Sequence, residues 1–242
     1  MKKNKSVIIT GALGQDGHIL SKIFIRNKFK VFGFIRKLNK NVVKKVSYHK
    51  VPLDNYSNLY KKINNINPDI FIHLGSDNPN FLQLKNKYPF KKNHQVSNNI
   101  IDIFSKNQKK TKIIIIGSSQ MYKKSNKKID DNTKFYPQNA YAKFRVNSFN
   151  YMVKKKKKFN LTATSAILFN HDSFFRNKKF LIPRIVQLIK KNKFHELQKI
   201  FNENISGDFS HAEDICNGIY KLSLSKKNPN KLIFSSNKRL FI

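Results

Sequence analysis

A tyrosine and an arginine in the segment "YPQNAYAKFR" have the spacing of a proton-transfer pair. Tyr141 and Arg145 are four residues apart, so they share one face of a helix predicted to begin near Ala140. Lys143 lies two positions along and points roughly the other way. A fixed positive charge favours the phenolate form of a neighbouring tyrosine, which suits the pair to acid–base catalysis. An isolated Tyr-x-x-x-Arg is usually an ordinary helix surface, but here it follows a serine-ended strand and a glycine-rich loop.

Polar side chains also end the apolar run in "IIIIGSSQMY" (113–122). Four consecutive isoleucines predict a strand buried on both faces, and the residues after such a strand face the ligand edge of a parallel sheet. Ser118 could hydrogen-bond the same substrate oxygen as Tyr141, and Ser119 lines the same edge. Gln120 is less expected there, because an amide has no basic form near neutrality and cannot abstract a proton as a carboxylate can.

A glycine-rich loop, "TGALGQDG" (10–17), follows the first predicted strand and opens the first predicted helix. Gly11, Gly14 and Gly17 stand where a tight turn, a close approach of backbone to phosphate and close helix packing require glycine. The helix N-terminus would offer N–H groups and a positive dipole end to a pyrophosphate. Glycine turns are common, but a loop placed between strand and helix in this way predicts a dinucleotide site rather than a structural turn.

The end of the second strand indicates which dinucleotide would bind. A carboxylate at this place would hold the ribose 2′-OH of NAD. Here "FGFIRKLNK" (32–40) supplies Arg36 and Lys37 and no acid, and cations suit a 2′-phosphate, so NADP is the predicted cofactor. The alternative is two more surface charges in a lysine-rich chain. Arg36 carries more weight than Lys37, because only six of the 49 basic residues are arginine.

Apolar runs alternate with amphipathic stretches along the chain. Strands are predicted at 6–10, 30–35, 69–74, 112–117 and 161–168, and helices within 16–27, 58–66, 98–107 and 141–155. Nearly all-apolar strands that alternate with helices predict an α/β fold with a doubly wound parallel sheet covered on both faces. The predicted division is an NADP-binding Rossmann domain, 1–172, and a small, incomplete C-terminal substrate lobe, 173–242, with a return strand near 231–235.

The composition excludes several classes of protein. A formal net charge of +36 invites a nucleic-acid interpretation, but the lysines are spread over the whole chain, whereas base-reading proteins rely on arginine concentrated on one face. We therefore expect no nucleic-acid partner, and the run Lys154–Lys158 is predicted to close a helix. A single cysteine excludes an internal disulfide, and no apolar run is long enough to span a bilayer, so a cytoplasmic protein is expected.

Other residues that could do chemistry have simpler interpretations. His73 falls at a strand end, while His171 and His211 fall in loop-like segments, and their spacing builds no metal site. Cys216 lies in an apolar helical stretch and is predicted to be a small buried hydrophobe. Asp54 ends "KVPLD" (50–54), the predicted third strand, where an aspartate is commonly a helix cap.

Together these segments resemble the extended short-chain dehydrogenase/reductases of the NAD-dependent epimerase/dehydratase family, and within it the GDP-mannose 4,6-dehydratase group. "TGALGQDG" is similar to that group's cofactor loop and "GFIRK" to its NADP-type strand end. "GSSQMY" resembles its Thr/Ser-Ser-Glu-x-Tyr segment, and "YPQNAYAKFR" the start of its Tyr-x-x-x-Lys helix. "ILFNHDSFFRNKKF" is similar to its diphosphate-binding segment and "GDFSHAEDI" to its Arg-Asp-Trp-Gly-His-Ala-x-Asp motif. The resemblance thus runs in order over nearly the whole chain.

The resemblance implies a lyase that modifies a nucleotide sugar such as GDP-mannose with NADP, and that assembles as a homo-oligomer. Tyr141 would take the sugar 4-OH proton, with Ser118 as its hydrogen-bonding partner, while hydride passes to NADP. The glutamate position, here Gln120, would remove the C5 proton before water leaves C6 and hydride returns. The resemblance places Gly11, Gly14, Gln15, Asp16, Gly17, Arg36, Asp54, Leu74, Tyr141 and Arg145 at the cofactor, and Ser119, Asn170 and Arg184 at the substrate.

Three positions depart from the family pattern. Gln120 replaces the glutamate, Arg145 replaces the lysine, and Gly207 stands where an arginine helps to hold the nucleotide. The cofactor side is nearly intact, whereas the substrate side is eroded. Three interpretations follow: a 4,6-dehydratase with altered or weakened chemistry, an epimerase or reductase of the same superfamily for which Tyr141 and Ser118 suffice, or a catalytically impaired NADP-binding relic.

Overall fold

The computed structural model describes residues 4–76, 91–107, 110–125, 127–203 and 205–242. The strands are β1 Ser6–Thr10, β2 Lys30–Ile35, β3 Val46–Lys50, β4 Ile70–His73, β5 Lys112–Ser118, β6 Ala163–Leu168, β7 Asn170–Asp172, β8 Ser206–Gly207, β9 Phe209–His211, β10 Lys231–Phe234 and β11 Leu240–Phe241. The helices are α1 Gln15–Arg26, α2 Tyr56–Ile66, α3 Lys91–Lys106, α4 Ala140–Phe159, α5 Leu181–Lys190, α6 Phe194–Phe201 and α7 Ala212–Leu224, and a 3₁₀ turn spans Ser119–Met121.

Seven strands form a sheet in the order β10-β6-β5-β4-β1-β2-β3, and every neighbouring pair is parallel. The chain starts in the middle at β1, runs to one edge through β2 and β3, and then continues on the other side of β1 with β4, β5 and β6. This is the doubly wound order, in which the crevice at the carboxyl ends of β1 and β4 binds ligands. The predicted fold class is confirmed.

Each face of the sheet is buried under its own set of helices. The isoleucine run of β5 divides between them, because successive side chains of a strand point to opposite faces. Ile114 and Ile116 pack in the cluster that includes α1 and α7, whereas Ile113 and Ile115 pack in the cluster that includes α2, α3 and α4. Full burial of one such side chain stabilises the fold by roughly 1.5–3 kcal/mol. The run therefore fixes β5 firmly and gives Ser118, at its end, a rigid support.

The start of helix α4 is set by a side-chain cap. Asn139 precedes the helix, and its side-chain oxygen accepts a hydrogen bond from the Ala142 N–H at 2.8 Å. The helix begins at Ala140, as predicted. It ends at Asn160, which is left-handed with φ of 50°, after a last turn that holds Lys156, Lys157 and Lys158. The prediction that the lysine run closes a helix is therefore confirmed.

The third strand differs from the prediction. It spans Val46–Lys50, so only Lys50 of the segment "KVPLD" belongs to the strand, and the chain turns at Leu53 and Asp54 directly after Pro52. The alternative interpretation of Asp54 as a helix cap is contradicted by the structure, and its contact with the cofactor stays a prediction. Asn55 caps α2, with its side-chain oxygen accepting from the Asn58 N–H at 3.0 Å.

The chain after β6 adds two small sheets. β7 pairs with β9 in parallel, β8 pairs with β11 in antiparallel fashion, and β10 lies beside β6 at the edge of the large sheet. His171 and His211 were expected in loops, but they lie in β7 and β9, whose three residues each are too few to show a periodic pattern. The division into domains at residues 172 and 173 stays a prediction.

Helix α7 carries the cysteine on its buried side, as predicted. Burial, followed by the negative charges of Asp16 and Glu213, raises the pKa of the Cys216 thiol well above its usual value. The thiol therefore packs as a small core side chain. Across the described ranges, no helix is both long enough and apolar enough to cross a membrane.

Candidate active site

The glycine-rich loop turns sharply between β1 and α1. Gly11 has a φ of 67°, a conformation that L side chains rarely adopt, and a Cβ there would lie 3.1 Å from the Gly75 Cα. The Gly11 N–H donates to the Phe34 carbonyl at 3.0 Å, and the Gly14 N–H donates to the Gly11 carbonyl at 2.9 Å. The turn is therefore held by its own backbone at the carboxyl ends of β1 and β2.

The first turn of α1 packs directly against this loop. A Cβ on Gly17 would collide with the Gly11 carbonyl oxygen and would lie 2.6 Å from the Ala12 Cα. Gly14 precedes the helix and offers no side chain to cap the first-turn N–H groups. A helix N-terminus without a side-chain cap beside a glycine turn fits a dinucleotide pyrophosphate. Gly11, Gly14 and Gly17 thus have the geometry that their spacing predicts.

The side chains of Gln15 and Asp16 turn towards strand β7. The Gln15 amide donates to the His171 carbonyl at 3.2 Å, and its oxygen accepts from Ser173 Oγ at 3.1 Å. Both Asp16 carboxylate oxygens lie 3.1 Å from His171 Nε2. Contact with the cofactor stays a prediction for Gln15 and Asp16, and the structure engages their side chains elsewhere.

The electrostatics of Asp16 and His171 follow from this pairing. Burial alone would raise the pKa of the Asp16 carboxyl, but the charge and hydrogen bond of His171, assisted by Gln15 and Arg176, outweigh it and hold the pKa below its usual value. Burial alone would lower the pKa of His171, but the Asp16 carboxylate outweighs it and raises the pKa. The two groups therefore form a largely buried ion pair between α1 and β7.

The remaining predicted cofactor residues lie around the same crevice. Arg36 is exposed directly after β2, Asp54 is exposed ahead of α2, and Leu74 is partly buried directly after β4. The Gly75 N–H donates to Thr10 Oγ1 at 2.9 Å, which ties the chain after β4 to the end of β1. These positions place Arg36 at the strand end where a ribose-recognising group is expected.

Tyr141 and Arg145 lie together on the buried face of α4, and Lys143 is exposed, as their spacing predicts. The guanidinium carbon of Arg145 lies 5.1 Å from the centroid of the Tyr141 ring. Arg145 Nη1 donates to the Ile116 carbonyl and Nη2 donates to Ser76 Oγ, both at 2.6 Å. The cation is therefore fixed beside the tyrosine from two directions.

Two supporting residues were missed or underrated by the sequence reasoning. Ser76 follows β4, and no pattern in the sequence connects it with Arg145, 69 positions away. His73, noted only as a strand-end residue, shares a 2.9 Å hydrogen bond with Thr10 Oγ1 beneath the loop. Burial, with the charge of Arg145, lowers the pKa of His73 to about 3. His73 is therefore a neutral structural link.

The serines and the glutamine after β5 form a 3₁₀ turn joined to the start of α4. Ser118 Oγ accepts from the Gln120 N–H at 3.3 Å, and Ser119 begins the turn. The Gln120 side-chain oxygen accepts from Asn139 Nδ2 at 3.1 Å. Asn139 is the residue that caps α4, so Gln120 holds the helix that carries Tyr141. This link also escaped the sequence reasoning.

The predicted substrate residues are on separate elements. Asn170 begins β7 and is exposed, and Arg184 lies half-buried on α5. A Cβ on Gly207 would lie 3.1 Å from Asn170 Nδ2, so the structure brings Gly207 against Asn170. An arginine at position 207 would have to displace this amide. Within the described ranges, no group of three or more His, Cys, Asp or Glu side chains could hold a metal ion.

Comparison with known proteins identifies the family of the chain. A family model described as GDP-mannose 4,6 dehydratase matches residues 8–240. The GDP-mannose 4,6 dehydratase of Drosophila melanogaster is 22% identical over 97% of this chain and 64% of its own length. The enzyme of Dictyostelium discoideum is 24% identical over 97% of this chain and 72% of its own length. The chain thus spans about two thirds of the length of these relatives.

Solved structures of similar fold include nucleotide-sugar enzymes. The UDP-glucuronic acid 4-epimerase of Bacillus cereus, in complex with UDP-glucuronic acid and NAD, has a TM-score of 0.84 at 15% identity, covering 98% of this chain and 79% of that one. The dTDP-glucose 4,6-dehydratase of Bacillus anthracis, in complex with NAD, has a TM-score of 0.81 at 12% identity, covering 98% of this chain and 77% of that one. At these identities the likeness concerns the fold.

Proposed function

Because the chain belongs to the GDP-mannose 4,6-dehydratase family, we propose that it is an NADP-dependent enzyme that oxidises C4 of a nucleotide sugar, with 4,6-dehydration of GDP-mannose as its overall reaction. One observation carries the proposal. The buried Tyr141–Arg145 pair and the glycine loop are joined by Arg145, whose side chain reaches from α4 to Ser76 in the segment that continues from Gly75. Gly75 in turn packs against Gly11.

The chain fits the cofactor at its loop and at the end of β2. Gly11, Gly14 and Gly17 leave room for a pyrophosphate at the N-terminus of α1, and Arg36 supplies a cation for the 2′-phosphate that distinguishes NADP from NAD. When bound, NADP supplies a reversible hydride acceptor. The choice of NADP over NAD rests on Arg36 and on the lack of an acid between residues 36 and 50.

The proton transfer is assigned to residues of this chain. Tyr141 takes the proton of the sugar 4-OH, Ser118 hydrogen-bonds the same oxygen, and Arg145 holds a positive charge next to the phenol. Ser119 lines the same edge, Asn170 contacts the sugar nucleotide, and Arg184 meets its diphosphate. These roles follow the family pattern position by position.

One observation favours a second candidate function. Gln120 stands where dehydration needs a base for the C5 proton, and its amide is bonded to Asn139. An epimerase or reductase needs only the C4 chemistry of Tyr141 and Ser118. A chain that kept its cofactor site and lost water elimination would therefore act as an epimerase or a reductase, or it would bind NADP without turnover.

Mass spectrometry of the reaction products separates these functions. Purified wild-type protein and Gln120→Glu are each incubated with GDP-mannose and with NADP or NAD, and binding of each dinucleotide is measured by calorimetry. We expect the wild type to bind NADP more tightly and to release some product that has lost one water. Gln120→Glu should raise that rate by about 10²–10⁴-fold, because a general base contributes about that much.

The outcomes are distinguishable. The glutamate carboxylate can accept the Asn139 hydrogen bond as the amide does, so Gln120→Glu is expected to keep the fold. Tyr141→Phe serves as the inactive baseline. A product of unchanged mass but altered sugar configuration would support the epimerase, and binding of NADP without any product would support an impaired protein. Failure of the wild type to bind either dinucleotide would refute the proposal.

A further inference from the structure

The ion pair between Asp16 and His171 starts from the first turn of α1, the helix whose N-terminus would face a cofactor phosphate. Asp16 is the second residue of α1, and acidic side chains at that place usually interact with the first-turn N–H groups of their own helix. Here both of its oxygens face His171 Nε2 at 3.1 Å, and Oδ1 also accepts from Gln15 Nε2 at 3.0 Å. The carboxylate is thus directed towards β7.

The hydrogen bonds of His171 require a charged ring. Nδ1 lies 2.7 Å from the Phe169 carbonyl oxygen, which can only accept. Nε2 faces the Asp16 carboxylate, which in its ionised form also can only accept. Both ring nitrogens must therefore carry a proton, so His171 is an imidazolium that offsets the Asp16 charge. His171 is only 8% exposed, which strengthens the interaction.

We propose that His171 is a positioning residue for the cofactor site, which holds the Asp16 carboxylate away from the first-turn N–H groups of α1 so that they can receive an anionic phosphate. This inference rests on the proposed NADP-binding function. Without the imidazolium, the carboxylate would remain beside the helix N-terminus as a negative charge that has lost its nearest cation and keeps only the Gln15 hydrogen bond and the more distant Arg176 charge. It would then compete for the N–H groups and repel the phosphate.

The same pair fixes the substrate side. β7 begins at Asn170, so the bonds from α1 to His171 also fix the strand that carries the predicted substrate amide. Two side-chain contacts join the two elements, Gln15 to the His171 carbonyl and Asp16 to His171, and Ser173, directly after β7, adds a third by donating to Gln15. His171 therefore connects the two halves of the proposed active site.

Calorimetric titration of NADP into three variants tests the role of charge. The variants are His171→Gln, Asp16→Asn with His171→Gln, and His195→Gln, an exposed histidine on α6 that serves as the matched control. We expect His171→Gln to weaken NADP binding about tenfold, a size typical of one buried charge at a helix end. The NADP affinity of the double variant should recover to within about threefold of the wild-type affinity, because the neutral amide at position 16 no longer repels the phosphate.

The double variant separates positioning from packing. If His171 only fills space between α1 and β7, removing Asp16 as well would restore nothing, and equal weakness of the two variants would overturn the inference. Unchanged affinity in His171→Gln, with its melting temperature near that of the wild type, would overturn it too. If the wild type binds neither NADP nor NAD, the proposed function fails, and the inference fails with it. If the wild type binds and only the rescue is absent, the inference alone fails.

Discussion

The cofactor loop and the catalytic edge lie at the same end of the sheet but are held in different ways. The loop, 10–17, is shaped by backbone: the positive φ of Gly11, main-chain hydrogen bonds, and a Gly17 position where any Cβ meets main-chain atoms. The catalytic edge, 118–145, is shaped by side chains. Arg145 donates to Ser76 and to the Ile116 carbonyl, and Asn139 donates to Gln120.

This difference explains where the chain departs from its family. A site built from backbone depends on a few glycines, and all three are present in the loop. A site built from side chains can exchange one polar group for another of similar shape while the fold persists. Gln120 and Arg145 are such exchanges, since both keep hydrogen bonds that hold α4 in place. Chemistry can therefore change at this edge without loss of structure.

The largest expected effect comes from removing the phenol of the catalytic edge. Tyr141→Phe should lower turnover of the nucleotide sugar by about 10²–10⁴-fold, because the acid–base group is lost. NADP affinity should fall far less than turnover, because the glycine loop proposed to hold the pyrophosphate is shaped independently of this side chain. Turnover is measured by product mass and affinity by calorimetry. Equal loss of affinity and turnover would contradict the separation of the two regions.

A smaller but complementary effect is expected in the loop. In Gly17→Ala, the new methyl would lie 2.6 Å from the Ala12 Cα, so the loop must move. We expect a loss of about 1–3 kcal/mol in the free energy of unfolding, with greatly weakened NADP binding. Gly14→Ala is the matched control, because its methyl would lie 3.3 Å from the Gly11 carbonyl oxygen and its φ of −73° suits alanine. Similar thermal stability in the two variants would contradict this account.

The sequence was sufficient for the parts that depend on local patterns. Apolar runs predicted the strands of the large sheet other than β3, and the periodicity of α4 placed Tyr141 and Arg145 on one face. The glycine spacing predicted a loop whose backbone has the required shape. These features are encoded within a few neighbouring residues, so they can be inferred without knowledge of the tertiary structure.

The contacts that hold the site could not be inferred in this way. Ser76 meets Arg145, Asn139 meets Gln120, and His171 meets Asp16 across 155 positions. Each contact depends on how separate elements pack, and a single sequence contains no pattern for it. The short strands β7 and β9 were missed for a related reason, since each is formed by pairing with the other.

The smallest expected effect concerns pH and the ion pair between Asp16 and His171, which joins the cofactor loop to β7. The pKa of His171 is raised above its ordinary value of 6.5. Its contribution to the free energy of unfolding is therefore complete below pH 6.5 and is lost as the pH rises through the raised pKa. The pKa of Asp16 is lowered below its ordinary 3.8, so the contribution is present above 3.8 and is lost as the pH falls through the lowered value. Asp172, Arg176 and Cys216 lie nearby and are present in both proteins, so their effects on the two unfolding free energies are shared.

We therefore expect the wild type to exceed the Asp16→Asn, His171→Gln double variant in unfolding free energy by on the order of 1 kcal/mol between these limits. The difference should shrink at both ends. Calorimetric melting of both proteins across the pH range isolates the pair, because His73, with its own lowered pKa, contributes equally to each and cancels. A difference in unfolding free energy that does not change with pH would mean that the two side chains contribute packing alone. The coupling between the cofactor loop and β7 would then not be electrostatic.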